Sequence, residues 1–188
     1  MGNRKRALAR SSLSLLLALW ACKSVGSVEV QEQEDVVSKP VKAALMAEQA
    51  SIQPGGHTRV GVHFEIEPDW HIYANDAGEA GLPTKIHWSG PTHVIFGPLQ
   101  WPPAESFLDP GDIHTFGYKK TALVWSLMTV VPPQMQGDAV SISAKVEWLA
   151  CKEICLPGSA SLTLALPISP RPPTRSADAA VFDHPGIK

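Results

Sequence analysis

Cysteine is scarce in this chain. Three occur in 188 residues, and the seven histidines are scattered, so the ligands for a zinc site are too few. An excess of one charge is also lacking. Sixteen basic residues face eighteen acidic ones, with no basic cluster outside the first ten positions, which excludes an electrostatic footprint for nucleic acid. Long hydrophobic runs are missing: the apolar stretch from Leu13 to Trp20 is too short to cross a bilayer as a helix. No Ser-His-Asp order and no phosphate-cradling glycine motif occurs, and Asp69 and Glu79 stand at no catalytic spacing, so the commonest hydrolytic and nucleotide chemistries have no support. What the chain does have is 44% apolar and 18% charged residues, the makeup of one globular domain with an ordinary core.

Arg4, Lys5, Arg6 and Arg10 precede the Leu13 to Trp20 stretch, the order of an export signal. Leu19-Trp20-Ala21-Cys22 resembles the bacterial lipobox, whose cysteine becomes the lipid-modified first residue. Trp20 is bulkier than that pattern usually takes, and simple secretion is the alternative. Residues 1–21 thus read as a lipoprotein-type signal peptide and Cys22 as the lipidation site. Lys23 lacks the aspartate of the inner-membrane retention pattern, which points to the periplasmic side of the outer membrane. Cys22 is either lipidated or removed, so Cys151 and Cys155 remain as a pair in an oxidising compartment.

Residues 22–40 are polar and acidic without apolar periodicity, as in a flexible tether. Residues 169–188 are proline-rich and unpatterned and read as a disordered tail. Between them, residues 41–168 carry strand signals. Val60, Val62, Phe64 and Ile66 alternate with polar or small residues, as do Val140, Ile142, Ala144, Val146 and Trp148, and Leu162, Leu164 and Leu166; each run is a half-buried strand. WHIYA, KIHWS and TALVWSLMTVV add β-branched or aromatic runs between turn signals. VKAALMAEQ reads as strand ahead of helix. Seven or eight short strands predict an all-β, immunoglobulin-like antiparallel β-sandwich. The stretch from Gly97 to Gly117 reads as a long irregular loop, its GPLQWPPAE segment being rigid extended chain. Trp70, Trp88, Trp101, Trp125 and Trp148 are expected to fill the core, and His71 to be a structural histidine.

Cys151 follows the strand that ends near Trp148. Residues four apart in extended chain lie about 13 Å from each other, whereas a disulfide needs Cα atoms at roughly 4.4 to 6.8 Å. Lys152-Glu153-Ile154 must therefore fold back for the pair to oxidise. A bridge closing so short a loop contributes about 2 kcal/mol through chain entropy, a modest gain for a domain this apolar. Lys152 favours a thiolate on Cys151 and Glu153 offsets it, so charge singles out no nucleophile. Three readings stay open: thiol-disulfide exchange, a copper site in which His71 or His114 joins the two sulfurs, and a non-redox binding sandwich with a structural disulfide.

The segments VHFEIEPDWHIYANDAGEAGLPTKIHWSG, GPLQWPPAESFLDPGDIHTFGYKK and VEWLACKEICLPGSASLTLALP, in this order, resemble the N-terminal periplasmic domain of the DsbD family of disulfide reductases, including its ScsB-like branch. The resemblance implies an immunoglobulin-like sandwich whose cysteines take electrons from a membrane-embedded thiol reductase partner and pass them to periplasmic disulfide or thioredoxin-like proteins. Cys151 and Cys155 fall on that redox pair. An aromatic cap shields the pair in the family, and Phe116 and Tyr118 are its candidates here. The resemblance implies no organic cofactor, no metal, and contact with the membrane through the lipid anchor only. Two departures stand out. The best-known members separate their cysteines by more residues, and this sequence shows no transmembrane helices after residue 168 and no thioredoxin-like domain. A separately encoded electron donor is expected.

Overall fold

Alternation of apolar and polar side chains becomes two facing sheets in the computed structural model, which describes residues 39–109, 111–131 and 139–183. The expected signal peptide, Cys22 and nearly all of the tether lie outside the described residues. Ten strands are present among them: β1 (Val41–Ala47), β2 (His57–Ile66), β3 (His71–Gly78), β4 (Lys85–Ser89), β5 (Val94–Phe96), β6 (Glu105–Asp109), β7 (Ile113–Tyr118), β8 (Thr121–Val130), β9 (Ala139–Cys151) and β10 (Cys155–Pro167). The smaller sheet has the order β1-β2-β8-β5; the larger has β10-β9-β3-β7-β6, with β4 also paired to β9. Every ladder is antiparallel. The fold is thus an immunoglobulin-like antiparallel β-sandwich.

The core follows from period two. Val60, Val62, Phe64 and Ile66 on β2 and Val140, Ile142, Ala144, Val146, Trp148 and Ala150 on β9 are buried, because alternate side chains of a strand share one face. Phe64 meets Trp148 edge-on with ring centroids 5.8 Å apart, joining the two sheets in the geometry aromatic pairs prefer. Trp70, Trp88 and Trp101 pack against this core from its margin. Trp125 departs from expectation: on β8 it faces outward, with the Arg59 guanidinium 5.4 Å from its ring centroid.

Two further expectations are corrected. The segment 97–117 is not one irregular loop, since β6 and β7 form a hairpin within it, in register from Glu105↔Gly117 to Asp109↔Ile113. Ser106, Leu108, His114 and Phe116 on this hairpin are exposed, so the alternation that marks a half-buried strand is weak there. Residues 169–183 are likewise placed against the domain. Ala50 N–H donates to Thr174 O at 2.9 Å and Ser176 N–H to Glu48 O at 2.9 Å. A 3-10 turn (Ala179–Phe182) then buries Phe182 to 1% exposure. Proline content hid this because the anchoring contacts, among them Arg59 to Phe182 O at 2.9 Å, are remote in sequence.

Candidate redox site

The site grows from the far end of β9. Parity fixes its face: Val146, Trp148 and Ala150 point into the core, so Leu149 and Cys151 point out of the sandwich. The chain reverses over Lys152, Glu153 and Ile154, with Lys152 N–H donating to Ile154 O at 3.1 Å. This sets Cys155 directly opposite Cys151 at the start of β10. The two form a disulfide with Cα atoms 4.1 Å apart, so the turn demanded by the spacing exists. The two cysteines are not equivalent in exposure. Cys151 is 3% exposed, in a small cluster with Tyr73, Ala77 and Leu149, whereas Cys155 is exposed.

The other edge of β9 brings in β3. His71 is the cross-strand partner of Cys151, as Ile72 is of Ala150, so His71 and Tyr73 share the outer face with the disulfide while Ile72 enters the core. The His71 ring meets Tyr73 edge-on at 5.2 Å and Phe107 of β6 at 4.8 Å. Tyr73 in turn lies over Gly81, where φ is +91° and an added Cβ would come within 2.5 Å of the ring; only glycine leaves that space and adopts that φ freely. Trp148 covers Gly158 on β10, its indole filling the space an added Cβ would take.

Burial governs the titratable groups here. It pushes His71 below the usual imidazole range, with Asp109 acting against it and Lys119 with it. Burial also raises the Tyr73 phenol, and Asp109 adds to that. Asp109 accepts a hydrogen bond from Thr115 Oγ1 at 2.9 Å. Lys152 pairs with Asp69 at 3.1 Å, and Lys119 Nζ sits 4.5 Å from the Phe107 ring centroid. Asp69, His71, Phe107, Asp109, Lys119 and Lys152 border a surface groove of about 470 Å³. Two exposed apolar side chains stand out: Ile154 at 62%, beside Lys152 and Glu153 in the cysteine turn, and Leu82 at 62%, bordering a second groove lined also by Lys85, Glu147, Trp148 and Pro157.

Of the residues singled out in the sequence, Cys151 and Cys155 are brought together, and the two cap candidates lie on β7. Tyr118 is a core residue: it is 5% exposed, donates its hydroxyl to Pro102 O at 3.1 Å, and burial pushes its phenol up to about 12. It pairs with Ile72, whose side chain enters the core rather than the outer face. Phe116 is 37% exposed on β7 and lies beside Gly78. Among the described residues, the rings grouped at the cysteine end are His71, Tyr73 and Phe107. Sequence reasoning passed over the last two, and set His71 aside as structural, because their meeting depends on the pairing of β3 with both β9 and β7. His114, weighed as a copper partner, is exposed, and no group of three or more metal-ligating side chains occurs among the described residues.

The fold that carries the two cysteines has counterparts among known proteins. The family model described as "Thiol:disulfide interchange protein DsbD, N-terminal" matches residues 41–167, more than half of the chain. The chain belongs to the DsbD N-terminal family. Among solved structures, the N-terminal periplasmic domain of ScsB from Proteus mirabilis superposes with a TM-score of 0.53 at 20% identity, covering 77% of this chain. The chain spans about half, 51%, of that ScsB chain, and the likeness establishes the common fold. The N-terminal domain of DsbD from Neisseria meningitidis in its reduced form aligns with a TM-score of 0.39 at 16% identity, covering 66% of this chain and 86% of that one. No curated protein matches the sequence. Cys151 and Cys155 both lie inside the span matched to the family.

Proposed function

We propose that this chain is an exported thiol-disulfide exchange module working in the periplasm. The observation that carries the reading is the unequal disulfide: Cys155 open to solvent and Cys151 buried behind it at 3% exposure, in a chain of the DsbD N-terminal family. The exposed cysteine is the one a second protein reaches first. In the reduced module, the Cys155 thiolate attacks one sulfur of a partner's disulfide, forming a mixed disulfide and releasing the partner's first thiolate. Cys151 then attacks Cys155 Sγ, the intramolecular disulfide re-forms, and the partner's second thiolate leaves. Two electrons pass to the partner, and the same steps reversed re-reduce the module.

The donor in this reading is a membrane-embedded thiol reductase and the acceptors are periplasmic disulfide or thioredoxin-like proteins. The exposed apolar side chains of Ile154 and Leu82 offer apolar surface to a docking partner. Cys22, as a lipidation site, would hold the module at the outer membrane. The test is the reduction potential of the pair in the full chain carrying Cys22→Ser, equilibrated in graded thiol buffers and read by alkylation and intact mass. A value between about −270 and −120 mV is expected, the range of exchange-active proteins; a value below about −300 mV makes the bridge an ordinary structural disulfide and ends the reading.

A further inference from the structure

His71 stands opposite Cys151 across the β3-β9 ladder. Directly opposed residues on one face place their Cβ atoms about 4.5 to 5.5 Å apart, within side-chain reach. His71 is 7% exposed, and its Nε2 is buried with no hydrogen-bond partner. Such an atom has lost its hydration without a replacement bond, and a redox or catalytic role is one of the reasons a native fold keeps one. Tyr73 and Phe107 hold the ring in place from two sides. The charged groups bordering the same groove are Asp69, Asp109, Lys119 and Lys152, two of each sign, so burial decides and the imidazole is kept neutral, with one ring nitrogen free to accept a proton.

Cys151 has the complementary need. Its thiol is buried, where apolar surroundings disfavour the thiolate, yet only the thiolate attacks a disulfide. We propose that His71 is the proton acceptor for the Cys151 thiol during resolution of the mixed disulfide. The proton moves from Cys151 Sγ to the ring, the Cys151 thiolate attacks Cys155 Sγ, and the Cys155 bond to the partner's sulfur breaks as the intramolecular disulfide forms. The imidazolium, facing Asp109, then returns its proton to the departing thiolate or to water. The inference rests on the exchange reading above, and the two fail differently.

The full chain carrying Cys22→Ser is reduced and mixed with excess 5,5′-dithiobis(2-nitrobenzoate), with thiolate release followed by stopped-flow absorbance. Attack by Cys155 gives a first phase that scales with reagent concentration; resolution by Cys151 gives a second phase independent of it. In His71→Phe and His71→Gln the second phase is expected to slow at least about tenfold at pH 7, a conservative share of what positioned general bases contribute, with the first phase within about twofold of the parent. The parent's second phase should also fall as pH drops through the lowered His71 pKa, an inflection the variants lose. His71→Gln keeps a planar polar group and carries the test should His71→Phe fail to fold. A second phase with parental rate and pH profile in His71→Gln overturns the proposal. Two concentration-dependent releases in the parent, with no intramolecular phase, overturn the exchange reading itself and this inference with it.

Discussion

Arg59 and His71 sit on the outer faces of opposite sheets, and their surroundings treat them in opposite ways. Arg59 donates to Glu48 Oε2 and Oε1 at 2.8 and 2.7 Å and to Phe182 O at 2.9 Å, and its guanidinium lies 5.4 Å from the ring centroids of both Trp125 and Phe182. Its polar and planar faces have partners. His71 is packed as tightly against two rings but keeps a buried nitrogen without one. The first site is finished by a chain segment that closes over it; the second is left open at Cys155. A satisfied cation that ties remote segments together is a structural device, whereas an unsatisfied base beside a disulfide is fit for proton transfer.

The sharpest way to break this contrast is at the open face. Cys155→Ser should abolish release of thiolate from a small disulfide through the exchange pathway, while Cys151→Ser should stop at a stable mixed disulfide, visible by intact mass as a covalent adduct. An adduct that forms on Cys151 in the Cys155→Ser chain as fast as on the parent would reverse the roles assigned from exposure.

The closed face should respond in stability and not in exchange. Phe182→Ala is expected to cost about 3 kcal/mol, the low end for a buried aromatic truncated to alanine, read as a lower denaturant midpoint with the rate of the first exchange phase unchanged. A loss under about 1 kcal/mol would show that the segment after residue 169 contributes little to the fold. Gly158→Val tests the join between the cysteine hairpin and the core, because the added Cβ meets the Trp148 indole. The expected loss is about 1–3 kcal/mol, with the Trp148 fluorescence altered.

The smallest effect concerns Glu48. Its hydrogen bonds with Arg59 hold the carboxyl below its usual range, and the guanidinium charge adds to this against the opposing effect of burial. A depressed folded-state pKa contributes stability that is present above the unfolded value near 4.5 and is lost as pH falls through the folded one. Glu48→Gln should therefore lower stability by on the order of 1 kcal/mol at pH 7 and by less at acid pH, so that the urea midpoints of the two chains converge as pH drops. Parallel midpoint curves would mean that the ion pair adds nothing net.

Legibility in the sequence followed physical range. Val60 to Ile66 and Val140 to Trp148 could be read as strands because period two is local, and the cysteine turn because four residues of chain cannot meet unless they reverse. The β6-β7 hairpin escaped because exposed Leu108 and Phe116 blur the alternation on which such readings depend. The placing of Tyr118 and Phe107 escaped for a related reason. Which aromatic enters the core and which lies over the outer face is settled by the register of β7 against β3 and β6, not by position along the chain.

By itself, then, the sequence determined the β class, the apolar faces of β2, β9 and β10, the reversal between Cys151 and Cys155, and membership in the DsbD N-terminal family. Each of these depends on residues near one another or on a motif order carried along the chain. Tertiary structure decided what stands beside the disulfide. Pairing of β3 with β9 put His71 opposite Cys151, the β6-β7 hairpin supplied Phe107, and closure of residues 169–183 over β2 gave Arg59 its contacts with Phe182. These contacts are set by strand register and by packing between segments far apart in sequence, so no local pattern encodes them.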